Sequence, residues 1–195
     1  MSPELLTVIF FIYVPVQCRY KLKLVVNMMK LSDVTDKLGL YIDPLSGQKH
    51  LRTTCRHLSG SLLHGFSVGE YVTHPTYLSM QIDHHCHIHL EPEFLQYLNH
   101  SCDPNIYVDV NRHEFICLRD IEANEEITFF YPSTEWAMEQ VFDCGCRSAN
   151  CLGKIKGAMH LNKEVLPRYK FTPHIMEKLH GHLSEQRPVN EPHTN

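Results

Sequence analysis

The sequence predicts a mostly β fold with few helices, and three observations lead to this prediction. From Asp36 to Leu63, short apolar stretches alternate with Gly, Pro, Ser and Asp, a pattern typical of short strands and turns. Further along, two apolar stretches flank a polar tetrapeptide, as in a hairpin, and an aromatic stretch ends at a proline. The length of 195 residues, with 43% hydrophobic and 21% charged, suits one soluble globular domain. A formal net charge of -4 gives no basic footprint, so direct nucleic-acid binding is not predicted.

The N-terminal residues 1–29 are expected to form an extension. Leu5–Val16 is strongly apolar but too short to span a bilayer, so no membrane segment is predicted. Glu4 stands where a signal peptide carries positive charge, which favours a buried strand or an irregular extension over a cleaved signal. Leu22–Val26 alternates partly and could form a strand.

The middle of the chain continues the pattern of short strands. Phe66–Ile82 contains the stretch Thr76–Asp83, which alternates like a half-buried strand. Glu91–Leu98 predicts one or two helical turns, with Pro92 at an early position.

The hairpin is predicted from two stretches, Ile106–Val110 and Phe115–Arg119. A second turn follows at Ile121–Glu125, where Asn124 tolerates a left-handed backbone. The next stretch, Glu126–Tyr131, predicts a buried aromatic strand.

That strand is expected to stop at Pro132. The tail from Gln186 is polar and proline-containing, which predicts disorder.

Three of the eight cysteines form a C-x-C-x4-C pattern at Cys144, Cys146 and Cys151. Three thiolates this close can converge on one tetrahedral zinc ion, and Gly145 eases the turn between the first two. The alternative is a set of disulfides, which three cysteines in eight residues leave with one sulfur unpaired. The pattern favours metal, and a zinc site then needs one more ligand from elsewhere.

A second cluster, HHCHIH, spans His84–His89. Alternation on a strand would place His85, His87 and His89 on one face. A set of metal ligands is one interpretation, and a solvated histidine-rich turn is the favoured one because no partner motif completes a site.

Two further motifs connect the cysteines to a known family. Asn99–Asn105 reads NHSCDPN, and Asp120–Pro132 reads DIEANEEITFFYP. Together with the C-x-C-x4-C pattern, they resemble the SET domain family of protein-lysine methyltransferases that carry a post-SET zinc-binding motif. The resemblance covers roughly Thr76–Gly153, about two fifths of the chain.

The resemblance implies a SET-domain fold of short β-sheets with a knot-like threading of the C-terminal part. It implies a SET domain over 30–132, a post-SET segment over 133–158 and a partly disordered C-terminal extension over 159–195.

The resemblance also implies a set of site residues. Cys102 would be the fourth zinc ligand, joining Cys144, Cys146 and Cys151. Asn99 and His100 would contact S-adenosylmethionine, as would Gly39 as the second glycine of a G-x-G element, with Lys37 standing where the first is expected.

The implied activity is methyl transfer from S-adenosylmethionine to a lysine side chain of a histone or another protein. Tyr131 would be the catalytic tyrosine that orients the amine. Phe129 would occupy the position of a Phe/Tyr switch, where a phenyl ring leaves room for products beyond monomethyl-lysine. Tyr77 would supply an aromatic wall of the lysine channel.

The N-terminal half departs from the family pattern, with Lys37, Leu58 and Ser61 at positions where other residues are expected. The alternative function is therefore a catalytically inactive SET-fold module that binds a peptide or partner protein. Reduced cysteines predict a cytoplasmic or nuclear protein, whereas a secreted, disulfide-bonded protein would require cleavage of the apolar N-terminal stretch.

Overall fold

The computed structural model describes residues 28–185. The expectations for Leu5–Val16, for Leu22–Val26 and for the tail from Gln186 therefore lie outside the described residues.

The described part consists mainly of short strands. In chain order they are β1 (Met29–Asp33), β2 (Leu38–Ile42), β3 (Lys49–Thr53), β4 (Leu62–Gly65), β5 (Ser67–Val72), β6 (Met80–Asp83), β7 (Cys86–Glu91), β8 (Asn99–His100), β9 (Ile106–Asp109), β10 (Glu114–Cys117), β11 (Thr128–Phe129), β12 (Phe142–Asp143) and β13 (Lys154–Ile155). Between residues 28 and 185 there is a single α-helix, α1 (Pro173–Glu185). The prediction of a mostly β fold with few helices is confirmed.

The strands form five small sheets. Three of them have three strands each, in the orders β1-β2-β3, β4-β10-β9 and β5-β7-β6. The other two are pairs: β8 with β11, which run parallel, and β12 with β13, which run antiparallel. The parallel pair matters most for the site, because it joins two segments that lie 29 positions apart, with Thr128 opposite Asn99 and Phe129 opposite His100.

The predicted hairpin is present as β9 and β10, and its loop explains its geometry. The side chain of Asp109 accepts hydrogen bonds from the backbone N–H groups of Asn111 and Arg112, each at 3.1 Å, which closes an Asx turn. His113 then takes a left-handed backbone with φ 56°. Asn124 is also left-handed, with φ 67°, as its turn predicts.

Two of the predicted strands are shorter than expected. The prediction of an aromatic strand over Glu126–Tyr131 was wrong in its extent, since the strand is limited to Thr128 and Phe129, and Glu126 forms only an isolated bridge to Arg52. Pro132 lacks a backbone donor, and the chain turns into a 3₁₀ helix at Tyr131–Ser133. The strand predicted over Thr76–Asp83 begins only at Met80, because a turn occupies 76–79, where Ser79 caps the backbone N–H of Thr76 at 2.8 Å.

Two hydrophobic cores support the site. The larger gathers fully buried side chains from the strands, among them Leu51, Phe115 and Ile127. The smaller lies beneath α1, where Ile175 and Leu179 pack with Ala158 and Trp136.

Helical structure is limited to short turns apart from α1. The helical turn expected over Glu91–Leu98 is a 3₁₀ helix at Glu93–Tyr97 preceded by Pro92, which confirms that prediction. Other 3₁₀ helices are Ala158–His160 and Leu166–Arg168. No helix within residues 28–185 has the length and apolar character needed to cross a membrane.

Candidate functional site

The site is a cavity of about 910 Å³ between the sheets. A volume of this size is at the upper end of the range for small-molecule pockets, roughly 300–1,000 Å³. Its walls come mainly from five parts of the chain: the β2–β3 loop, the segment before β6, residues 95–101, residues 126–131 and residues 135–146.

Asn105, which is 1% exposed, does not line the cavity but holds two residues that do, Glu126 and Thr128. Its side-chain Nδ2 donates to the backbone carbonyl of Glu126 at 2.7 Å, and its Oδ1 accepts the backbone N–H of Thr128 at 2.9 Å. These bonds hold the chain entering β11 against the end of the NHSCDPN segment. Because both the amide nitrogen and the amide oxygen of this buried asparagine form hydrogen bonds, the side chain fixes the two segments relative to each other.

Asn99 lies on the cavity wall and ties three segments together. Its Nδ2 donates to Glu126 Oε1 at 3.0 Å and to the backbone carbonyl of Lys49 at 3.3 Å. Its Oδ1 accepts from Gln48 Nε2 at 3.2 Å. The amide therefore fastens the β2–β3 loop to the parallel strand pair.

His100 is enclosed, and its hydrogen bonds select one tautomer. The backbone N–H of Tyr131 donates to His100 Nδ1 at 3.2 Å, so the ring proton lies on Nε2. That Nε2–H faces the sulfur of Cys102 at 3.3 Å. Burial lowers the pKa of His100 to about 4, so the ring is neutral at pH 7.

Tyr131 and Phe129 line the cavity side by side, with ring centroids 4.8 Å apart. The hydroxyl of Tyr131 donates to the backbone carbonyl of Leu98 at 2.9 Å. Burial raises the pKa of Tyr131, and the charges of Glu126 and Glu135 raise it further, so the phenol stays protonated. Its oxygen keeps lone pairs with which to accept a hydrogen bond from a bound group.

Phe130, between these two residues, packs away from the cavity. Its ring stacks on that of Tyr169 at 3.6 Å with an interplanar angle of 5°. The hydroxyl of Tyr169 donates to the backbone carbonyl of Cys102 at 2.8 Å. The C-terminal part of the chain thus packs against the back of the site.

The four cysteines that the motifs and the resemblance single out converge at one edge of the cavity. The sulfur atoms of Cys102, Cys144, Cys146 and Cys151 all lie within 4.8 Å of one another, and those of Cys102 and Cys144 are 3.9 Å apart. A tetrahedral zinc ion with Zn–S bonds near ~2.3 Å has sulfur–sulfur edges of about 3.8 Å. The cluster is therefore compatible with zinc, and its cysteines are free thiols.

Hydrogen-bond donors lie next to the cysteine sulfurs, where they would stabilise thiolates. The backbone N–H of Leu152 donates to Cys102 Sγ at 3.4 Å, and Ser148 lies 3.4 Å from Cys146 Sγ. Burial raises the pKa of Cys102, so its thiolate needs a cation nearby. At Cys146, burial raises the pKa, but hydrogen bonds to Ser148 and other neighbours outweigh it and bring the pKa to about 6.

Two other predicted site residues lie apart from this centre. Tyr77 borders the cavity at its mouth, where 71% of the residue is exposed. Gly39 does not line the cavity. It lies in β2 between β1 and β3, where an added Cβ would meet the ring of Tyr41 at 2.9 Å.

The N-terminal wall of the cavity is formed by Gly47, Gln48 and Lys49 instead, which sequence reasoning missed. Gly47 has φ 73°, a conformation that favours glycine. The signal in the sequence was the turn DPLSG, which places a glycine just before a strand.

The histidine-rich stretch divides between a turn and a strand. His84 lies in the turn before β7, where its Nε2 is 2.8 Å from Glu177 Oε2 on α1. His87 lies on β7 and faces the cavity-lining Glu135, with Nε2 to Oε2 at 3.3 Å. Both partners of this pair are largely enclosed, at 13% and 12% side-chain exposure.

The comparisons with known proteins agree on one family. The SET domain family profile matches residues 14–132. The methyltransferase flvH of Aspergillus flavus is 44% identical over 108 residues, 54% of this chain and 60% of that protein. An H3 lysine-4 specific histone-lysine N-methyltransferase of Emericella nidulans is 42% identical over 65 residues, 30% of this chain and 5% of that protein.

Among solved structures, KRYPTONITE in complex with mCHG DNA and SAH aligns with a TM-score of 0.49 and 20% identity, covering 60% of this chain and 28% of that one. The chain thus spans about three fifths of the Aspergillus flavus relative and a small part of the Emericella nidulans relative.

Proposed function

The chain belongs to the SET domain family, and on that premise we propose that it transfers a methyl group from S-adenosylmethionine to a lysine side-chain amine of a protein. The observation that carries the proposal is the position of Tyr131. Its hydroxyl is anchored on the carbonyl of Leu98 inside the cavity, beside the parallel pair that carries Asn99 and His100.

Methyl transfer requires a neutral amine nucleophile, whereas a free lysine, with a pKa of about 10.4, is protonated at neutral pH. An enclosed channel favours the uncharged amine by desolvation. The Tyr131 hydroxyl donates to Leu98, so its oxygen can accept an N–H of the amine and direct the nitrogen lone pair. A neutral, protonated phenol suits this role, and the raised pKa of Tyr131 keeps it in that form.

S-adenosylmethionine supplies a methyl group on a cationic sulfonium. We propose that Asn99 and His100 hold it, together with the adjoining loop Gly47–Lys49 that is hydrogen-bonded to Asn99. The fit is supported by the cavity volume and by the acidic side chains in its lining, which suit a cationic ligand. Gly39 as a cofactor contact stays a prediction, and this residue does not line the cavity.

We propose that Phe129 permits products beyond monomethyl-lysine. Its phenyl ring lies against Tyr131 and has no hydroxyl with which to hold the amine or a water molecule. Tyr77, exposed at the cavity mouth, would form the outer wall of the lysine channel.

We propose that Cys102, Cys144, Cys146 and Cys151 bind one zinc ion as a post-SET site. The four-sulfur donor set and its spacing fit a closed structural site. When bound, the ion would fasten the segment 142–155 to the NHSCDPN segment and complete the cavity wall to which Cys144 and Cys146 contribute.

The substrate we propose is a basic protein segment, with histones as the first candidates because relatives in this family are named histone-lysine methyltransferases. A nuclear or cytoplasmic location follows for a protein that acts on such substrates with reduced cysteines. A net charge of -4 gives no reason to propose direct nucleic-acid contact.

The test combines binding and turnover on the zinc-loaded protein. Titration with S-adenosylmethionine should show saturable binding that is weakened in Asn99→Ala. Transfer of labelled methyl groups to core histones should be lost in Tyr131→Phe, while that variant still binds the cofactor. Absence of cofactor binding by the wild type would instead favour the inactive, partner-binding module.

A further inference from the structure

The lining of the cavity is strongly acidic. Among residues 28–185 it contains one lysine, Lys49, and five carboxylates: Asp43, Glu126, Glu135, Glu139 and Asp143. Such a lining attracts a cation and disfavours an anion. Among these carboxylates, Glu135 belongs to the carboxylate–imidazole pair with His87 described above, which has no role in the proposed methyl transfer so far.

Glu135 is held in place from three sides. Its Oε1 accepts the backbone N–H of Gln81 at 2.7 Å and faces the hydroxyl of Thr134 at 3.4 Å. Its Oε2 faces Nε2 of His87 at 3.3 Å. The backbone N–H of Glu135 donates to the carbonyl of Tyr131 at 3.0 Å, so one tight turn carries both side chains.

This arrangement leaves the carboxylate of Glu135 with an unused hydrogen-bond acceptor position. An ionised carboxylate has about four acceptor positions, and the three neighbours use three of them. Enclosing a carboxylate costs free energy unless charged or polar partners compensate. One imidazole, one hydroxyl and one backbone N–H compensate only in part, so an additional cation at Oε2 would be favourable.

The charge of Glu135 also reaches Tyr131. The pKa of that phenol is raised first by burial and then by the charges of Glu126 and Glu135. The two side chains therefore share one electrostatic environment inside the cavity.

We propose that Glu135 is the carboxylate that binds the ammonium group of the substrate side chain and takes its proton. This inference rests on the proposed lysine methyl transfer and names the group that receives the lysine. In the step, one N–H bond of the ammonium breaks and an O–H bond forms on Glu135, giving a neutral amine and a neutral carboxylic acid. The proton returns to solvent when the product leaves. His87 and the N–H of Gln81 position the carboxylate.

The test measures recognition of charge with two small ligands. Nα-acetyl-lysine methylamide and its 6-hydroxynorleucine counterpart have the same length and differ in the terminal ammonium or hydroxyl. Titration followed by NMR on the zinc-loaded wild type should show about tenfold tighter binding of the lysine compound, as expected for one charge-assisted hydrogen bond. In Glu135→Gln, which keeps the shape and an acceptor for Gln81, the two compounds should bind within about threefold of each other.

Glu70→Gln is the matched control. Glu70 lies on β5, which pairs with the strand β7 that carries His87. Its Oε2 is 3.6 Å from His89 Nδ1, but this pair is exposed and outside the cavity lining. The control should keep the wild-type preference. If Glu135→Gln does not fold, Glu135→Asp and Glu135→Asn replace it, since they differ only in charge; the aspartate should retain the preference and the asparagine should lose it.

Two results would overturn the inference: a wild type without preference for the lysine compound, or a preference that survives in Glu135→Gln. A wild type that prefers the lysine compound but does not bind S-adenosylmethionine contradicts the proposed function and leaves the role of Glu135 as an ammonium receptor supported. A wild type that transfers methyl groups while Glu135→Gln keeps its preference contradicts only the present inference.

Discussion

His100 donates from Nε2 to the sulfur of Cys102, 3.3 Å away, and this direction is fixed because its Nδ1 already accepts the backbone N–H of Tyr131 at 3.2 Å. One imidazole therefore couples the cysteine cluster to the backbone of the proposed catalytic tyrosine. A proposed zinc ligand and the proposed catalytic residue are therefore separated by a single side chain.

Replacing His100 with leucine should lower both the zinc affinity of the cysteine cluster and the free energy of unfolding. The sulfur of Cys102 loses a donor, and such outer-shell changes typically reduce metal affinity about 10–100-fold. The N–H of Tyr131 loses its acceptor, which costs roughly 1–3 kcal/mol in an enclosed position. Chelator competition measures the first effect and urea unfolding the second. The exposed His160→Leu should change neither, and unchanged zinc affinity in His100→Leu would contradict the coupling.

Purified protein should contain about one zinc ion per chain, and Cys144→Ser should lose it. The four sulfurs form one closed donor set, so removal of any one leaves an incomplete tetrahedron. Elemental analysis measures the content. Cys55→Ser is the matched control, because Cys55 is exposed and outside the cluster, and it should keep its zinc. A zinc-free wild type prepared under reducing conditions is the contrary result.

Asn105→Ala should destabilise the fold by about 2–4 kcal/mol. The substitution leaves the backbone carbonyl of Glu126 and the backbone N–H of Thr128 without their side-chain partners, and each unpaired enclosed group costs roughly 1–3 kcal/mol. Urea unfolding of the zinc-loaded protein measures the change. Asn111→Ala, at the exposed hairpin loop, should shift stability by less than about 0.5 kcal/mol.

Stability should fall as the pH drops below about 6.5, the ordinary pKa of histidine. The pKa of the buried His174 is lowered, chiefly by burial, so the unfolded chain binds a proton that the folded chain excludes. Its Nε2–H donates to the carbonyl of Thr134 at 3.0 Å, and its buried Nδ1 finds no partner for a second proton within residues 28–185.

In His174→Gln, the decline in unfolding free energy between pH 7.5 and 5.5 should therefore be smaller than in the wild type. Urea unfolding at the two pH values measures it. The exposed His160→Gln should decline as steeply as the wild type. Equal slopes in wild type and His174→Gln would show that His174 does not contribute.

Phe129→Tyr should shift products toward monomethyl-lysine. The new hydroxyl would stand beside Tyr131, whose ring centroid is 4.8 Å from that of Phe129, and would occupy space and hydrogen-bond the amine. Mass spectrometry of methylated histone peptides measures the product distribution. Only monomethyl product from the wild type, with no change in the variant, would contradict the proposed role of Phe129.

Local signals explain what the sequence could predict. The hairpin of β9 and β10 and the left-handed Asn124 follow from turn chemistry that involves only neighbouring residues. The cysteine cluster was predictable because three ligands lie within eight residues and a family motif names Cys102.

What could not be predicted depends on contacts between distant residues. Gln48 joins the site through a hydrogen bond to Asn99, 51 positions away, and no local pattern marks it. Glu135 gains its place from Gln81 and His87, on two strands whose pairing the sequence does not specify. β11 is short because the chain enters a 3₁₀ helix at Tyr131–Ser133, around Pro132, although the aromatic residues before it favour a strand.

The separation of the cysteines along the chain has a consequence for synthesis on the ribosome. Cys102 emerges 42 residues before Cys144, its nearest partner in the cluster, and the fourth sulfur follows at Cys151. A nascent chain that already displays Asn99, His100 and Tyr131 outside the exit tunnel therefore still lacks the cysteine-bearing wall of its cavity. Under the proposed function, the chain can methylate only after the last cysteine and the Tyr169 that packs behind Cys102 have also left the tunnel.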